Sequence, residues 1–289
     1  MSYEPSAMNE EHLQEFLSEV WQETGYDFRE YRHATIERRI AKRIILLGAR
    51  DLADYRRILG QRPDEYRHLV SDLTIKVSRF FRNPYVFEAI DLLVWPDLLK
   101  AREQSKHLRI WSAGCAHGEE TYSLAISILN HIRRKKKPPK DYDITIMGTD
   151  IDKKALARAK AGIYGVYAVA EVKKGLLDAY FIYDPLTATY CVIPEARDLV
   201  TFAEHDILAP AIISPPCGIV TNYDLILCRN LFIYLSYSLQ QKVLSRFLQA
   251  LNPGGYLILG KSEAVPPQMA NGVQVYDKQA NIYQKREGV

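Results

Sequence analysis

The chain has 289 residues, 47% of them apolar and 25% charged, with a formal net charge of only +3. That is the make-up of a soluble globular protein rather than a polycation, long enough for one large domain with or without a small helical one. Cys115, Cys191, Cys217 and Cys228 form no CxxC pair, which fits neither a zinc site nor a secreted disulfide framework, so no metal is expected. A polar, acidic N-terminus without a signal-peptide core, and no apolar run long enough to span a bilayer, predict a cytoplasmic protein not inserted in a membrane.

Hydrophobic spacing predicts a helix over Glu10–Thr24, with Leu13, Phe16, Leu17 and Val20 on one face and Gly25 at its end. A second helix, Tyr31–Leu47, stripes Ile36, Ile40 and Ile44 and stops at Gly48. Two shorter patterns, Leu52–Leu59 and Tyr66–Leu73, complete an all-helical domain over residues 1–75, and a linker over 76–107 follows. Charge is unevenly spread: Arg29–Arg62 holds ten Lys or Arg against four Asp or Glu. Within it, Arg38, Arg39, Lys42 and Arg43 form one broad cationic helix face. A solvated surface is the commonest meaning of such a face. Nucleic acid is not expected, because the aromatic residues of a single-strand binder are not interleaved with the charges. A second basic run, Arg133–Lys137, precedes Pro138-Pro139.

From Leu108 the texture changes to alternating strand and helix. Strands are predicted at Leu108–Ala113, Tyr142–Gly148, Leu199–Ala203, Tyr223–Cys228 and Tyr256–Leu259. Helices fall at Glu119–Ile132, Lys153–Ala161 and Ser238–Leu251, and the tail closes as an antiparallel hairpin, Gln274–Tyr276 with Ile282–Gln284. The fold class is α/β, a doubly wound parallel sheet over 108–289. Residues 162–200 break the alternation with Tyr, Val and Ile between glycines and prolines, the pattern of an inserted antiparallel β-subdomain.

The chemistry gathers where strands end. Ile110-Trp111-Ser112-Ala113-Gly114-Cys115-Ala116-His117-Gly118-Glu119-Glu120 runs from a strand through a turn into a helix, at the edge where doubly wound sheets bind ligands. Gly114 and Gly118 let backbone approach a ligand. Met147-Gly148-Thr149-Asp150-Ile151-Asp152 ends the second strand in an acidic pair; Asp152 is placed to cap the next helix, and Asp150 to accept from ribose hydroxyls. A nicotinamide dinucleotide enzyme would show G-x-G-x-x-G and a helix start open to a pyrophosphate. Glu119 and Glu120 would repel a pyrophosphate and tolerate a cationic, sulfonium-bearing amino acid, which favours S-adenosylmethionine. His205-Asp206-Ile207 and Cys228-Arg229-Asn230-Leu231-Phe232-Ile233-Tyr234 follow two further strands.

In combination, Ser78-Arg79-Phe80-Phe81-Arg82-Asn83-Pro84, Trp111–Cys115, Gly118-Glu119-Glu120, Thr149–Asp152, Ala161–Tyr164, Cys228-Arg229-Asn230 with Tyr234, and Gly260-Lys261-Ser262-Glu263 resemble the CheR family of chemotaxis receptor glutamate methyltransferases. The resemblance covers nearly the whole chain. It implies a class I S-adenosylmethionine-dependent methyltransferase domain with an N-terminal helical domain and an inserted β-subdomain. Carried over, it implies that Ser78 and Arg82 contact the methionine portion of the cofactor, Glu120 its amino group and Asp150 its ribose. Asp206 and Ile207 would flank the adenine, and Arg229 and Asn230 would line the transfer pocket beside Tyr234. Lys76 belongs with the cofactor-contacting positions, although the family often has Asn there. Ser78 stands for the usual Thr and keeps its hydroxyl, and Thr121 replaces the usual Pro.

A glutamate side chain is ionised at neutral pH, with an unperturbed pKa of about 4.3, so its methylation requires no general base. Tyr234 first, then Arg229, are the candidates for orienting that carboxylate. Given the resemblance, Arg38, Arg39, Lys42 and Arg43 become the docking face for glutamate-rich methylation helices of chemoreceptors. Some relatives also tether to a receptor pentapeptide through a glycine-rich loop; Phe181–Tyr190 contains no glycine, so no tether is expected. The residues leave two alternatives: a class I methyltransferase acting on another protein, RNA or small molecule, and a non-catalytic cofactor-sensing module.

Overall fold

The computed structural model describes residues 9–74, 78–136, 138, 141–208, 215 and 222–287. Among them, 9–74 and Tyr234–Leu239 form one compact unit and the remainder a second.

The first unit contains α1 (Glu10–Thr24), α2 (His33–Leu46), α3 (Leu52–Gln61) and α4 (Asp64–Leu73). Asn9 caps α1 through its side chain, and Gly25 ends the helix in the left-handed conformation (φ 76°), which costs a residue without Cβ little. Leu13, Phe16, Leu17 and Val20 meet Ile36, Ile40, Ile44, Tyr55, Leu59 and Leu69 in its core. The expected cationic face of α2 is divided by this packing. Arg38 and Lys42 are exposed. Arg43 is not available for docking: it is buried, its Nε and Nη2 donate to Glu65 at 2.8 and 2.6 Å, and its Nη1 reaches Asp72 at 3.2 Å. The Tyr55 hydroxyl also donates to Glu65, at 2.8 Å. Arg39 is half-buried and donates through Nη1 to the carbonyls of Asp72 and Leu73 at the end of α4, so it too departs from the expected surface role.

The second unit opens with α5 (Pro84–Ala89), a π-helical turn over Ile90–Val94, and α6 (Trp95–Ala101). The linker expected at 76–107 is therefore largely helical. Phe80, Phe87, Ile90, Val94, Trp95 and Leu98 enter the main core, and Trp95 Nε1 donates to Ser127 Oγ at 2.9 Å. Next come β1 (His107–Ala113), α7 (Glu119–Arg134), β2 (Asp143–Asp150) and α8 (Lys153–Ala161). A small sheet follows, built from β3 (Ile163–Gly165), β4 (Phe181–Asp184) and β5 (Thr189–Val192), with α9 (Lys174–Tyr180) preceding β4 and α10 (Pro194–Arg197) following β5. The chain returns through β6 (Val200–Glu204), β7 (Tyr223–Cys228), α11 (Tyr237–Ala250), β8 (Leu251–Leu259), β9 (Val273–Asp277) and β10 (Ile282–Lys285).

Seven strands form one mixed sheet in the order β6-β2-β1-β7-β8-β10-β9, parallel up to β8 and closed by the antiparallel tail hairpin. The three-stranded sheet is antiparallel in the order β3-β5-β4. Both sheets agree with the sequence expectation. Parallel strands buried on both faces explain why β7 is buried at every position. Among the described residues, no helix is long and apolar enough to cross a membrane.

Register decides where the site lies. Ala113 pairs with Thr149, Asp150 with Glu204, Ser112 with Leu227, and Cys228 with Leu259. Five parallel strands thus end level. The turns beginning at Gly114, Ile151, His205, Arg229 and Gly260 emerge on one edge.

Candidate active site

The turn after β1 is tied across to β2. The N–H groups of Gly114 and Cys115 both donate to the Thr149 carbonyl at 2.8 Å. Gly114 has φ 73°, and Gly118 has φ 91° with no room for a side chain: a Cβ there would lie 2.8 Å from Ala159 Cβ and 2.9 Å from the Phe202 ring. Gly118 therefore serves close helix packing, whereas Gly114 stands exposed at the edge.

Asp150 fastens this turn from below. One carboxylate oxygen accepts from Ala116 N–H at 2.8 Å and the other from Asp152 N–H at 2.9 Å. Asp152 is the helix cap, accepting from Lys154 N–H at 2.6 Å and Ala155 N–H at 3.1 Å. The cap expected of Asp152 is present, while Asp150 ties the turn after β1 to the start of the next loop.

At the start of α7, Glu120 accepts from Ser112 Oγ at 3.0 Å and from Arg229 Nη1 at 3.2 Å. Burial raises its pKa against the opposing pull of Arg229, Ser112 and Arg82. Burial also raises the pKa of Glu119, against its own backbone N–H and the Ser78 hydroxyl, and Glu119 Oε2 is buried without a hydrogen-bond partner. Ser78 and Arg82 thus share the corner occupied by the paired glutamates.

Arg229 differs from the sequence expectation. Its side chain is 1% exposed, Nη2 donates to the Arg82 carbonyl at 2.9 Å, and its guanidinium lies 5.7 Å from the Phe87 ring centroid. A guanidinium so enclosed is not open to an incoming carboxylate; it fixes Glu120 and the Arg82 segment instead. That segment is strained, since Phe81 (φ 54°) and Asn83 (φ 62°) are both left-handed without being glycine. Phe81 N–H is held by Ser123 Oγ at 2.9 Å.

Asn230 is left-handed too (φ 62°). Its N–H donates to Glu263 at 3.0 Å, as do Ile233 N–H at 3.2 Å and Gly260 N–H at 2.5 Å. Burial raises the pKa of Glu263 against these donors. The Gly260–Glu263 motif does not disclose this role, because three backbone donors converging from two turns leave no trace in residue spacing. Asp206 accepts from Leu208 N–H at 2.8 Å, and Ile207 offers its carbonyl to Arg246 Nη1 at 2.6 Å. Both follow β6 on the same edge. Lys76 lies outside the described residues. Tyr234 belongs to the helical unit, where the Arg39 guanidinium lies 5.7 Å from its ring centroid.

The acceptor set fits a cationic nucleoside. Three carboxylates stand at the ligand-binding edge, and two of them crowd the helix N-terminus that would otherwise attract phosphate. Residues 76–282 match the family described as CheR methyltransferase, SAM binding domain, and residues 11–74 match its all-alpha domain. The chain belongs to the CheR methyltransferase family. The seven-stranded sheet, the helical domain and the small antiparallel sheet are accordingly the class I S-adenosylmethionine-dependent methyltransferase architecture with its CheR additions. A probable chemotaxis protein methyltransferase of Rhizobium etli is 31% identical over 250 residues, 85% of this chain and 90% of its own. The chemotaxis protein methyltransferase of Escherichia coli is 28% identical over 261 residues, 89% of this chain and 85% of its own. A 104.1 kDa protein of Rhodobacter capsulatus is 31% identical over 258 residues, yet this CheR-family chain spans only 26% of it.

Proposed function

We propose that this protein is a cytoplasmic enzyme that methylates glutamate side chains on the methylation helices of chemoreceptors, releasing the glutamate methyl ester and S-adenosylhomocysteine. The observation that carries the reading is the acidic strand-end edge, where Glu120, Asp150 and the Gly114 turn converge with Arg229 as internal counter-charge. Bound there, S-adenosylmethionine supplies an activated methyl group on its sulfonium.

The residues of this chain then bind and orient. Asp150, at the end of β2 beside the Gly114 turn, accepts from the ribose hydroxyls. Glu120 holds the amino group, with Ser78 and Arg82 beside the carboxylate end and Gly114 giving backbone access. Asp206 and Ile207 flank the base, and Asn230, set by Glu263, lines the transfer pocket. Arg229 positions Glu120 rather than touching the substrate. The incoming glutamate is already ionised, so alignment carries most of the acceleration; converting a bimolecular step to an intramolecular one is worth roughly 7–11 kcal/mol. The Tyr234 hydroxyl orients the nucleophilic carboxylate by a hydrogen bond weak enough to leave it reactive.

Docking is assigned to the exposed Arg38 and Lys42, whose charge complements glutamate-rich helices. The β4–β5 turn is closed on itself, with Asp184 accepting from Leu186 N–H at 2.9 Å and from the Thr187 hydroxyl at 2.7 Å. This favours receptor recognition without a pentapeptide tether. The deciding experiment incubates the protein with methyl-labelled S-adenosylmethionine and receptor cytoplasmic fragments, then releases methanol with alkali. Base-labile label on the fragments is expected. Label on nitrogen or nucleic acid, or none, would overturn the reading.

A further inference from the structure

Arg39 is built differently from its neighbours on α2. Arg38 and Lys42 extend into solvent and Arg43 is locked into a buried ion pair. Arg39 is half-buried: Nη1 donates to the carbonyls of Asp72 at 2.6 Å and Leu73 at 3.1 Å, and the guanidinium lies 5.7 Å from the centroid of the Tyr234 ring. Those carbonyls belong to the last turn of α4, which lacks helical partners for them and carries the negative end of the helix dipole. Burial lowers the pKa of Arg39, and its Nε is buried without a hydrogen-bond partner. A residue kept only for surface charge would not be desolvated in this way.

Tyr234 is held by its backbone as well. Its carbonyl accepts from Arg32 N–H at 2.9 Å, Leu235 forms an antiparallel bridge with Tyr31, and Ser236 N–H donates to the Glu30 carbonyl at 2.9 Å. The backbone of Tyr234–Ser236 is thereby woven into the helical unit. Main-chain bonds set the backbone and not the ring, and Arg39 supplies a contact on the ring itself. Arginine suits this task because one planar group can donate at its edge and stack on its face.

We infer that Arg39 is a positioning residue for catalysis: anchored on the end of α4, it fixes the Tyr234 ring and so the direction in which the hydroxyl is presented. This inference rests on the proposed role of Tyr234 toward the substrate carboxylate.

The test compares wild type, Arg39→Gln, Arg39→Lys, Tyr234→Phe and the double variant Arg39→Gln/Tyr234→Phe in steady-state methylation of receptor fragments. Arg39→Gln is expected to lower kcat by about tenfold to a hundredfold, the scale of a small misplacement of a reacting group. KM for the fragment and the Kd for S-adenosylmethionine should stay within about twofold of wild type. Arg39→Lys keeps a charge and a donor but not the plane, so it should fall with Arg39→Gln; it also serves if the glutamine variant melts early. In the Tyr234→Phe background, where no hydroxyl remains to be aimed, Arg39→Gln should cost nothing more. Full kcat in both Arg39 variants, a rise in receptor KM alone, or equal losses in both backgrounds would each overturn the inference. A wild type that forms no base-labile ester overturns the underlying reading and the inference with it. Ester formation by wild type with unaffected Arg39 variants overturns the inference alone.

Discussion

Arg229 and Glu120 meet at 3.2 Å with the arginine side chain 1% exposed and the glutamate 14% exposed, so the carboxyl group at the start of α7 has an internal counter-ion opposing the effect of its burial. Removing one partner of such a pair leaves the other desolvated, typically at about 3–5 kcal/mol. Arg229→Gln is expected to lose roughly 3 kcal/mol of stability, toward the low end because Glu120 retains some solvent. Its effect on cofactor affinity should depend on pH. Burial already raises the Glu120 pKa, and Arg229 is the first force opposing that. Without it the pKa climbs further, and the protonated acid cannot hold an ammonium. Calorimetric affinity for S-adenosylmethionine should therefore improve in the variant as pH rises through the range in which this carboxyl ionises, while the ligand ammonium stays protonated, and more steeply than in wild type. An affinity equal to wild type across that range would remove Arg229 from its supporting role.

Glu119 gives a stability prediction of definite sign. One of its oxygens is buried without a partner, and its pKa is raised by burial above the ordinary 4.5. A carboxyl raised in the folded state takes up protons on folding, so stability should be gained as pH falls through the folded pKa and lost as pH rises through it. Glu119→Gln removes the charge and should stabilise the unliganded protein at neutral pH by about 1 kcal/mol. The advantage should shrink in mildly acidic buffer. Urea unfolding at two pH values decides it; a variant less stable at both would show that the ionised form makes a favourable interaction.

Asp150 and Asp152 should separate cleanly. Asp150→Asn turns one acceptor oxygen into a donor facing Ala116 N–H or Asp152 N–H, and weakens the acceptor offered to ribose. Cofactor affinity should fall by about tenfold or more, since hydrogen bonds to charged groups are worth about 1.5–3 kcal/mol each. Asp152→Ala removes the cap of α8, lowering stability by about 1 kcal/mol with affinity nearly unchanged. Calorimetry and thermal melts on the two variants check both halves. Equal affinity losses would mean that Asp150 acts through the local fold rather than on the ligand.

Glu263 supports the neighbouring turn. Glu263→Ala would strand the N–H groups of Gly260, Asn230 and Ile233. Stability should drop by about 2 kcal/mol or more, with Glu263→Gln recovering part of it because one acceptor oxygen remains. Comparable melting temperatures for Glu263→Ala and wild type would contradict this.

What the sequence disclosed and withheld follows from locality. Periodicity placed α1 and α8 at their observed bounds because each has a clear apolar stripe and a glycine stop. Strand ends were legible because each parallel strand is a short apolar run followed by a polar turn. The helices over 84–101 were missed, since a π-helical turn and Trp95-Pro96 disrupt the period. Arg43 was misjudged because its partners, Glu65 and Asp72, stand on another helix and no spacing on α2 reveals them. The enclosure of Arg229 is hidden from the sequence in the same way: its environment is made by Glu120, Arg82 and Phe87, each far away in the chain.

The surface of α2 supplies the last prediction, in which docking and packing part company. Arg38 and Lys42 are exposed one turn apart, and Ile45 and Leu46 stand exposed beyond them at 59% and 64%. Charge reversal, Arg38→Glu with Lys42→Glu, removes two positive charges from a solvated face and adds two negative ones. Surface changes of this kind usually alter stability by about 0.5 kcal/mol or less, so the melting temperature should hold. KM for receptor fragments should rise by about tenfold or more at low salt, because like charges would face a glutamate-rich helix. Added salt should raise the wild-type KM and narrow the gap, since the Debye length falls to about 8 Å near physiological ionic strength and exposed charges are screened. Arg43→Met behaves in the opposite way. It strands Glu65 in the interior, so it should cost about 3 kcal/mol of stability while leaving the KM of the folded fraction unchanged. The comparison is made at matched folded concentration, with melts alongside steady-state methylation. An unchanged KM in the double reversal would end the assignment of this face to docking, and a raised KM in Arg43→Met would show that the buried arginine shapes the face from below.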